Sequence, residues 1–357
     1  MKATPDIKRI VVRGTNWVGD AIMTIPALWE LRRILPDAHV TLATRSWTQG
    51  IFADADFIDE LLIYDHEGAL ASPFKQIGEW RRSKFDAAIL FQNAFEAAVI
   101  ARFASVPIRL GYATDGRSFL LTHRVAKTEE TKTRHEVYYY LDLVAEFERW
   151  ILGRTSVDQT APRMELPVSA ERRHAAAELL RGHGIDGDRP VVALCPGSTN
   201  SRAKRWPAER FAKLADRLID ELNADVLLIG AEDELPVSRE VEAGMQRKPV
   251  VLTGTTNLAE AVGILSATDL LVTNDTGPAH IAAALGRPTL VIFGPTDPTT
   301  TRPFGDQAVV IRHPPECAPC MLRDCPIDHR CMTAIAPDEV FVQAREILGA
   351  RVPESVN

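Results

Sequence analysis

A chain of 357 residues with 46% apolar and 25% charged side chains is too long for one ordinary doubly wound sheet and has apolar material for two cored domains, which excludes a disordered protein. Its net charge of −7, with the acidity gathered beyond residue 150, argues against a nucleic-acid-tracking surface; Arg81, Arg82 and Lys84 supply at most a local basic patch. No apolar run approaches the ~20 residues of a membrane span, and Met1–Arg13 enters a strand without a signal peptide's apolar stretch and cleavage site, so a cytoplasmic protein is expected.

Strand-length apolar runs alternate with helix-period stretches, the pattern of parallel sheets with helical crossovers. In the first half the alternation predicts strands at Arg9–Arg13, His39–Thr44, Glu60–Tyr64, Asp86–Phe91 and Arg109–Tyr112, and helices at Ala21–Leu35, Pro73–Ser83, Phe95–Phe103 and His135–Arg149. The polar stretch Gly153–Val168, with Pro162 and Pro167, serves as the linker. A second sheet follows, with strands at Val191–Leu194, Asp225–Gly230, Val250–Thr253, Asp269–Thr273, Thr289–Phe293 and Ala308–Arg312. Its helices are expected at Ala170–Arg181, Pro207–Asn223, Leu258–Ser266 and Gly277–Leu285, with Pro337–Gly349 closing the chain. The expected domains are 1–168, 169–335 and a terminal helix and tail, 336–357.

In open α/β sheets ligands settle beyond the carboxyl ends of the strands. The loop after the first strand, Gly14-Thr15-Asn16-Trp17-Val18-Gly19-Asp20, bears glycine but lacks G-x-G-x-x-G. A carboxylate at a helix N-terminus repels phosphate, which argues against a nucleotide there. Asp20 reads as an N-cap or as a general base facing the cleft between domains.

The second half offers better anion sites. Asn274-Asp275-Thr276-Gly277-Pro278-Ala279-His280 opens a helix: Gly277 admits close backbone approach, Pro278 suits the first turn, and amides beside the Thr276 hydroxyl can donate to a pyrophosphate. Asp275 as a simple cap and His280 as an ordinary first-turn residue are the plainer readings. Cys195-Pro196-Gly197-Ser198-Thr199-Asn200-Ser201-Arg202-Ala203-Lys204-Arg205 pairs small hydroxylated residues with cations, and Lys204 offers a point charge to a leaving diphosphate. The loop Gly230-Ala231-Glu232-Asp233, after the next strand, offers a carboxylate for a ribose hydroxyl.

Asp54-Ala55-Asp56 has the D-x-D form of metal-dependent sugar transferases but reads as a turn among Phe52, Phe57 and Ile58. Cys317, Cys320, Cys325 and Cys331, with His313 and His329 nearby, match no standard zinc finger. They read as a structural zinc site, buried free thiols or an acceptor-side loop, and no metal ligands are assigned.

Three stretches, NWVGDAIMTIPAL, AKRWP and TNDTGPAHIAAALGRPTLVIFGPTDP, in this order and spacing resemble the ADP-heptose:lipopolysaccharide heptosyltransferases, glycosyltransferase family 9. The W-V-G-D form and the cysteine tail are most like the heptosyltransferase II group. The resemblance covers nearly the whole chain. It implies an α/β protein of GT-B fold, two Rossmann-like domains facing a central cleft, with acceptor in the first half and ADP-heptose in the second. It also implies a final helix packing back on the first domain.

By that resemblance the enzyme moves L-glycero-D-manno-heptose, with inversion, onto the heptosyl-Kdo-lipid A inner core at the inner membrane surface. Asp20 would take the acceptor proton and Lys204 offset charge on departing ADP; Thr199, Glu232, Thr256, Asp275, Thr276, Gly277 and His280 match donor-site positions. No cofactor or metal is implied, and the oligomeric state stays open. Ser201 stands where the family usually has glycine. A heptosyltransferase for another core acceptor, a sugar-nucleotide epimerase and a non-catalytic sugar-nucleotide binder are the alternatives.

Overall fold

The computed structural model describes residues 6–65 and 71–349; the last residues of the expected tail, 350–357, lie outside them. It divides into two compact units, Met1–Leu166 and Pro167–Asn357, the boundary falling inside the polar stretch read as a linker.

The first unit is built on β1 (Arg9–Arg13), β2 (His39–Thr44), β3 (Glu60–Ile63), β4 (Ala87–Leu90), β5 (Ile108–Tyr112) and β6 (His123–Val125). They form one six-stranded sheet in the order β3-β2-β1-β4-β5-β6, parallel throughout. The second unit repeats the plan with β7 (Val191–Cys195), β8 (Asp225–Leu228), β9 (Val250–Val251), β10 (Leu270–Asn274), β11 (Thr289–Phe293) and β12 (Ala308–Arg312). Their order is β12-β11-β10-β7-β8-β9. Counted within its unit, each sheet runs 3-2-1-4-5-6, the doubly wound arrangement in which the strand order reverses between the first and fourth strands, the switch point. Every residue of β7, β10 and β11 is buried, as helices covering both faces of a parallel sheet require.

Helix ends follow local chemistry. Ala208–Leu222 stops at Asn223, whose φ of 51° places it in the left-handed region, and Glu136–Leu152 stops at Gly153, φ 72°. The helix expected over Ala21–Leu35 is two helices, Val18–Met23 and Ile25–Ile34. Pro26 has no N–H to continue the ladder, and the Thr24 hydroxyl bonds the Ala21 carbonyl at 2.6 Å. Besides helices of three to five residues, two elements lie outside the sequence reading. The strand β6 is a three-residue edge with no apolar period, and the helix Leu235–Gly244 carries proline as its second residue and buries only Val237, Ser238 and Val241.

The core of the second unit gathers Trp206, Phe211, Leu214 and Leu218 with Val340, Phe341, Ala344 and Leu348 of the closing helix Pro337–Gly349. The apolar face of that helix is thus taken up by the core of its own unit.

Candidate active site

In the second unit β7 and β10 are neighbours, paired from Leu270↔Val192 to Thr273↔Cys195, so the loops after them open side by side at the switch point. Asn274 ties them together. Fully buried, its amide donates to the carbonyls of Pro196 at 2.8 Å and Gly197 at 3.1 Å, while its oxygen accepts the Trp206 N–H at 3.0 Å. Both ends of the Pro196–Trp206 loop are thereby fastened to β10, and Arg205 closes the loop further by donating to the Ser198 carbonyl at 3.0 Å.

This closure brings Lys204 to Asp275. The Lys204 Nζ donates to Asp275 Oδ2 at 2.7 Å and to the Asp275 carbonyl at 3.3 Å, and Thr296 donates to the same carboxylate oxygen at 2.7 Å. Asp275 is 5% exposed and Lys204 26%, so the carboxylate is the buried member and the ammonium the one that solvent or a ligand reaches. Asp275 is not the helix cap that the plainer reading expected. Thr276 occupies that position, with φ −143°, and no side chain caps the helix Gly277–Ala284. Thr276 and Gly277 are half-buried at its start, and His280 is buried in its first turn. The N-terminal amides and positive dipole end of this helix suit an anion.

A second carboxylate stands where β7 and β8 end. Glu234 is buried; one oxygen accepts the Ala231 N–H at 2.9 Å and the other the Thr199 hydroxyl at 3.4 Å. A methyl group on Gly197 would fall 2.3 Å from its carboxyl carbon and one on Gly230 2.8 Å from its oxygen, so both glycines exist to admit it. Burial pushes the Glu234 carboxyl above its usual range, with Asp233 adding to the shift. Burial likewise raises the Cys195 thiol to about 12, although the hydroxyls of Thr273 and Thr276 bond it. Glu232, the sequence candidate, is exposed; its loop meets that of half-buried Thr256 where Gly254 N–H donates to the Gly230 carbonyl at 3.0 Å.

Ser201 is buried and extended, φ −156°, a backbone any residue adopts. Its hydroxyl donates toward the Leu322 and Arg323 carbonyls at 3.3 and 3.2 Å, a role glycine cannot fill.

In the first unit Asp20 sits half-buried in the first turn of Val18–Met23. Trp17 is the N-cap, so the capping role read for Asp20 does not hold. The helix packs on Glu136–Leu152. Burial pushes the Glu136 carboxyl up, the Asp20 charge adding to it against the pull of Lys127, and burial with Asp20 also raises the Tyr140 hydroxyl. The Asp20 charge is thus felt by both Glu136 and Tyr140 of the helix it packs on.

Buried cations stiffen the same carboxyl edge. Arg13 lies 3.4 Å from the Tyr64 ring centroid and donates to Gln92 at 3.2 Å; burial lowers its guanidinium to about 10. Arg45 stacks over Tyr64 and Trp47 and donates to Asn16 at 3.2 Å, bracing the loop that leads to Asp20.

Comparison with known proteins narrows the alternatives. A model of glycosyltransferase family 9 (heptosyltransferase) matches residues 74–330. The chain belongs to glycosyltransferase family 9. Among its relatives, the lipooligosaccharide heptosyltransferase 2 of Haemophilus influenzae is 30% identical over 310 residues, covering 85% of this chain and 88% of that protein. The lipopolysaccharide heptosyltransferase 2 of Escherichia coli is 31% identical over 320 residues, with the same coverage, 85% and 88%.

Among solved structures, E. coli ADP-heptose lipopolysaccharide heptosyltransferase II superposes with a TM-score of 0.81 at 26% identity, over 97% of this chain and 100% of that one. A glycosyl transferase family 9 protein from Veillonella parvula gives 0.83 at 26% identity, over 97% and 99%. This family 9 member is a glycosyltransferase of GT-B fold, and the epimerase and non-catalytic readings fall away.

Proposed function

We propose that this enzyme moves L-glycero-D-manno-heptose, with inversion, from ADP-heptose to the heptosyl-Kdo-lipid A inner core. The observation that carries the donor half is the Lys204–Asp275 pair at the switch point beside an uncapped helix start. Two of the three Lys204 donors serve Asp275, and the third is left for a diphosphate oxygen. Asp275 holds the ammonium in place before the bond breaks, so charge appearing on ADP meets an oriented cation. Thr276 and Gly277 offer a hydroxyl and backbone to the diphosphate, with His280 behind them. Thr199, steadied by Glu234, and the adjoining Glu232 and Thr256 loops are the candidates for the nucleoside.

An inverting displacement needs one base, a positioned donor and a stabilised leaving group. Asp20 takes the proton of the attacking hydroxyl as that oxygen bonds to the anomeric carbon and the bond to ADP breaks. Incubation with ADP-heptose and a panel of heptose-deficient core lipids, read by product mass, tests this. One heptose added to the heptosyl-Kdo acceptor is expected, and transfer to a different core acceptor alone would redirect the reading.

The acceptor is lipid-linked, so contact with the inner membrane surface follows. No helix among the described residues is long and apolar enough to cross a membrane. Exposed Trp17, Trp47, Phe74, Phe95 and Phe119 all lie in connections that follow β1 to β5, and aromatic side chains favour the membrane interface. Co-sedimentation with acceptor-bearing vesicles, weakened by Phe74→Ser with Phe119→Ser, is the expected result; unchanged binding counts against this surface.

A further inference from the structure

We propose that Cys317, Cys320, Cys325 and Cys331 bind one metal ion, zinc or iron, in a tetrahedral thiolate site that fastens the 317–331 segment against the loop carrying Lys204. The proposal is independent of which sugar the enzyme transfers.

The cysteines converge on one place. All four line a single cavity of ≈ 70 Å³, although the sequence spreads them over 15 residues. They are free thiols, and packing alone does not account for them: Cys331 is buried, Cys320 and Cys325 are intermediate, and Cys317 is exposed. Free cysteines that merely fill a core are buried. Four soft sulfur ligands and a tetrahedral demand select zinc or iron over harder ions.

The segment also needs a staple. Residues 313–329 form no helix or strand, and their large apolar side chains point to solvent, Met321, Leu322 and Ile327 being 65%, 45% and 61% exposed. Irregular segments of such length without a core of their own are uncommon unless something else holds them. Met321, next to Cys320, and His329, two residues before Cys331, take left-handed φ of 55° and 57°, turning the chain sharply beside two of the thiols.

What the segment grips gives the site its consequence. Ala203 N–H donates to the Arg323 carbonyl at 2.9 Å, Ser201 bonds the same carbonyl, and His329 Nε2 donates to the Ala203 carbonyl at 2.6 Å. Arg202 pairs with Asp324 at 2.6 Å. Three consecutive residues before Lys204 thus hang on the cysteine segment. As they stand, no three His, Cys, Asp or Glu side chains among the described residues are gathered closely enough to hold an ion. Binding therefore draws the four sulfurs inward across the cavity to the ~2.3 Å of a zinc–thiolate bond and releases the thiol protons.

Untagged protein purified under reducing conditions without added metal should carry about one equivalent of zinc or iron per chain by elemental analysis, the usual occupancy of a structural site. An iron site is told from zinc by its colour. The Cys320→Ser/Cys325→Ser variant should lose the metal, and chelation should speed hydrogen exchange at 201–204 several-fold. Should that variant fail to fold, cobalt(II) titration of metal-free wild type decides, with a thiolate charge-transfer band saturating at one equivalent expected. Absence of zinc and iron together with absence of that band overturns the proposal, as does full metal retention by the folded variant.

Discussion

Replacing Asn274 by alanine should cost the second unit about 3 kcal/mol. The side chain makes three buried hydrogen bonds, to Pro196, Gly197 and Trp206, each worth about 1 kcal/mol net. The groups it leaves behind are backbone polar atoms, and those that stay buried keep their desolvation penalty, so the figure is a lower bound unless water enters. In a unit of this size the change corresponds to a fall of about 6–12 °C in melting temperature. Urea unfolding followed by the fluorescence of buried Trp206 measures it, with an unchanged slope showing that the unfolded state is the same. Asn274→Asp is the sharper case, because its carboxylate would face two carbonyl oxygens at 2.8 and 3.1 Å. Its carboxyl pKa is thereby raised in the folded state. The variant should be at least as unstable as Asn274→Ala near neutrality and regain part of the loss in acid, where the protonated carboxyl donates. A loss below about 1 kcal/mol for Asn274→Ala would refute the view that this residue fastens the two loops.

Lys204→Ala should lower the transfer rate by about 10²-fold or more, the scale of one lost charge-stabilising group, and steady-state kinetics within a few-fold of wild type would remove its leaving-group role. Asp20→Asn should abolish turnover while keeping ADP affinity in calorimetry; unchanged turnover rejects it as the base. Gly197→Ala places a methyl 2.3 Å from the Glu234 carboxyl carbon and should destabilise by about 1–3 kcal/mol through overpacking, to be relieved by Glu234→Ala. The Glu234 carboxyl has a raised folded pKa because it is buried. Its contribution is therefore fully present in acid and lost as pH rises through the folded value, so as pH climbs above the ordinary carboxylate range wild type should lose stability relative to Glu234→Gln. Parallel melting curves for the two across that rise would contradict this.

Periodicity made the sheets readable because each central strand is buried on both faces and so carries a continuous apolar run, as Thr289–Phe293 does. It failed where packing on one short face suffices, at β6 and Leu235–Gly244. The loops at Thr276 and Lys204 were legible from glycine, proline and charge next to a strand end. Their joining was not, since Lys204 and Asp275 are 71 residues apart and no local rule distinguishes an ion-paired aspartate from a cap. Asn274 carries a signal of its own: a polar amide ending an apolar strand must spend its donors somewhere. Glu234 had none, for Glu232 and Asp233 offer the same chemistry two and one residues earlier, and only the missing Cβ atoms of Gly197 and Gly230 select it.

The division of labour between the two sheets is tested most directly by a crystal structure of the ADP complex. The diphosphate should rest on the start of Gly277–Ala284 with an oxygen on the Lys204 ammonium. A diphosphate seated instead against Gly14–Gly19, beside Asp20, would contradict the donor site and both catalytic roles at once.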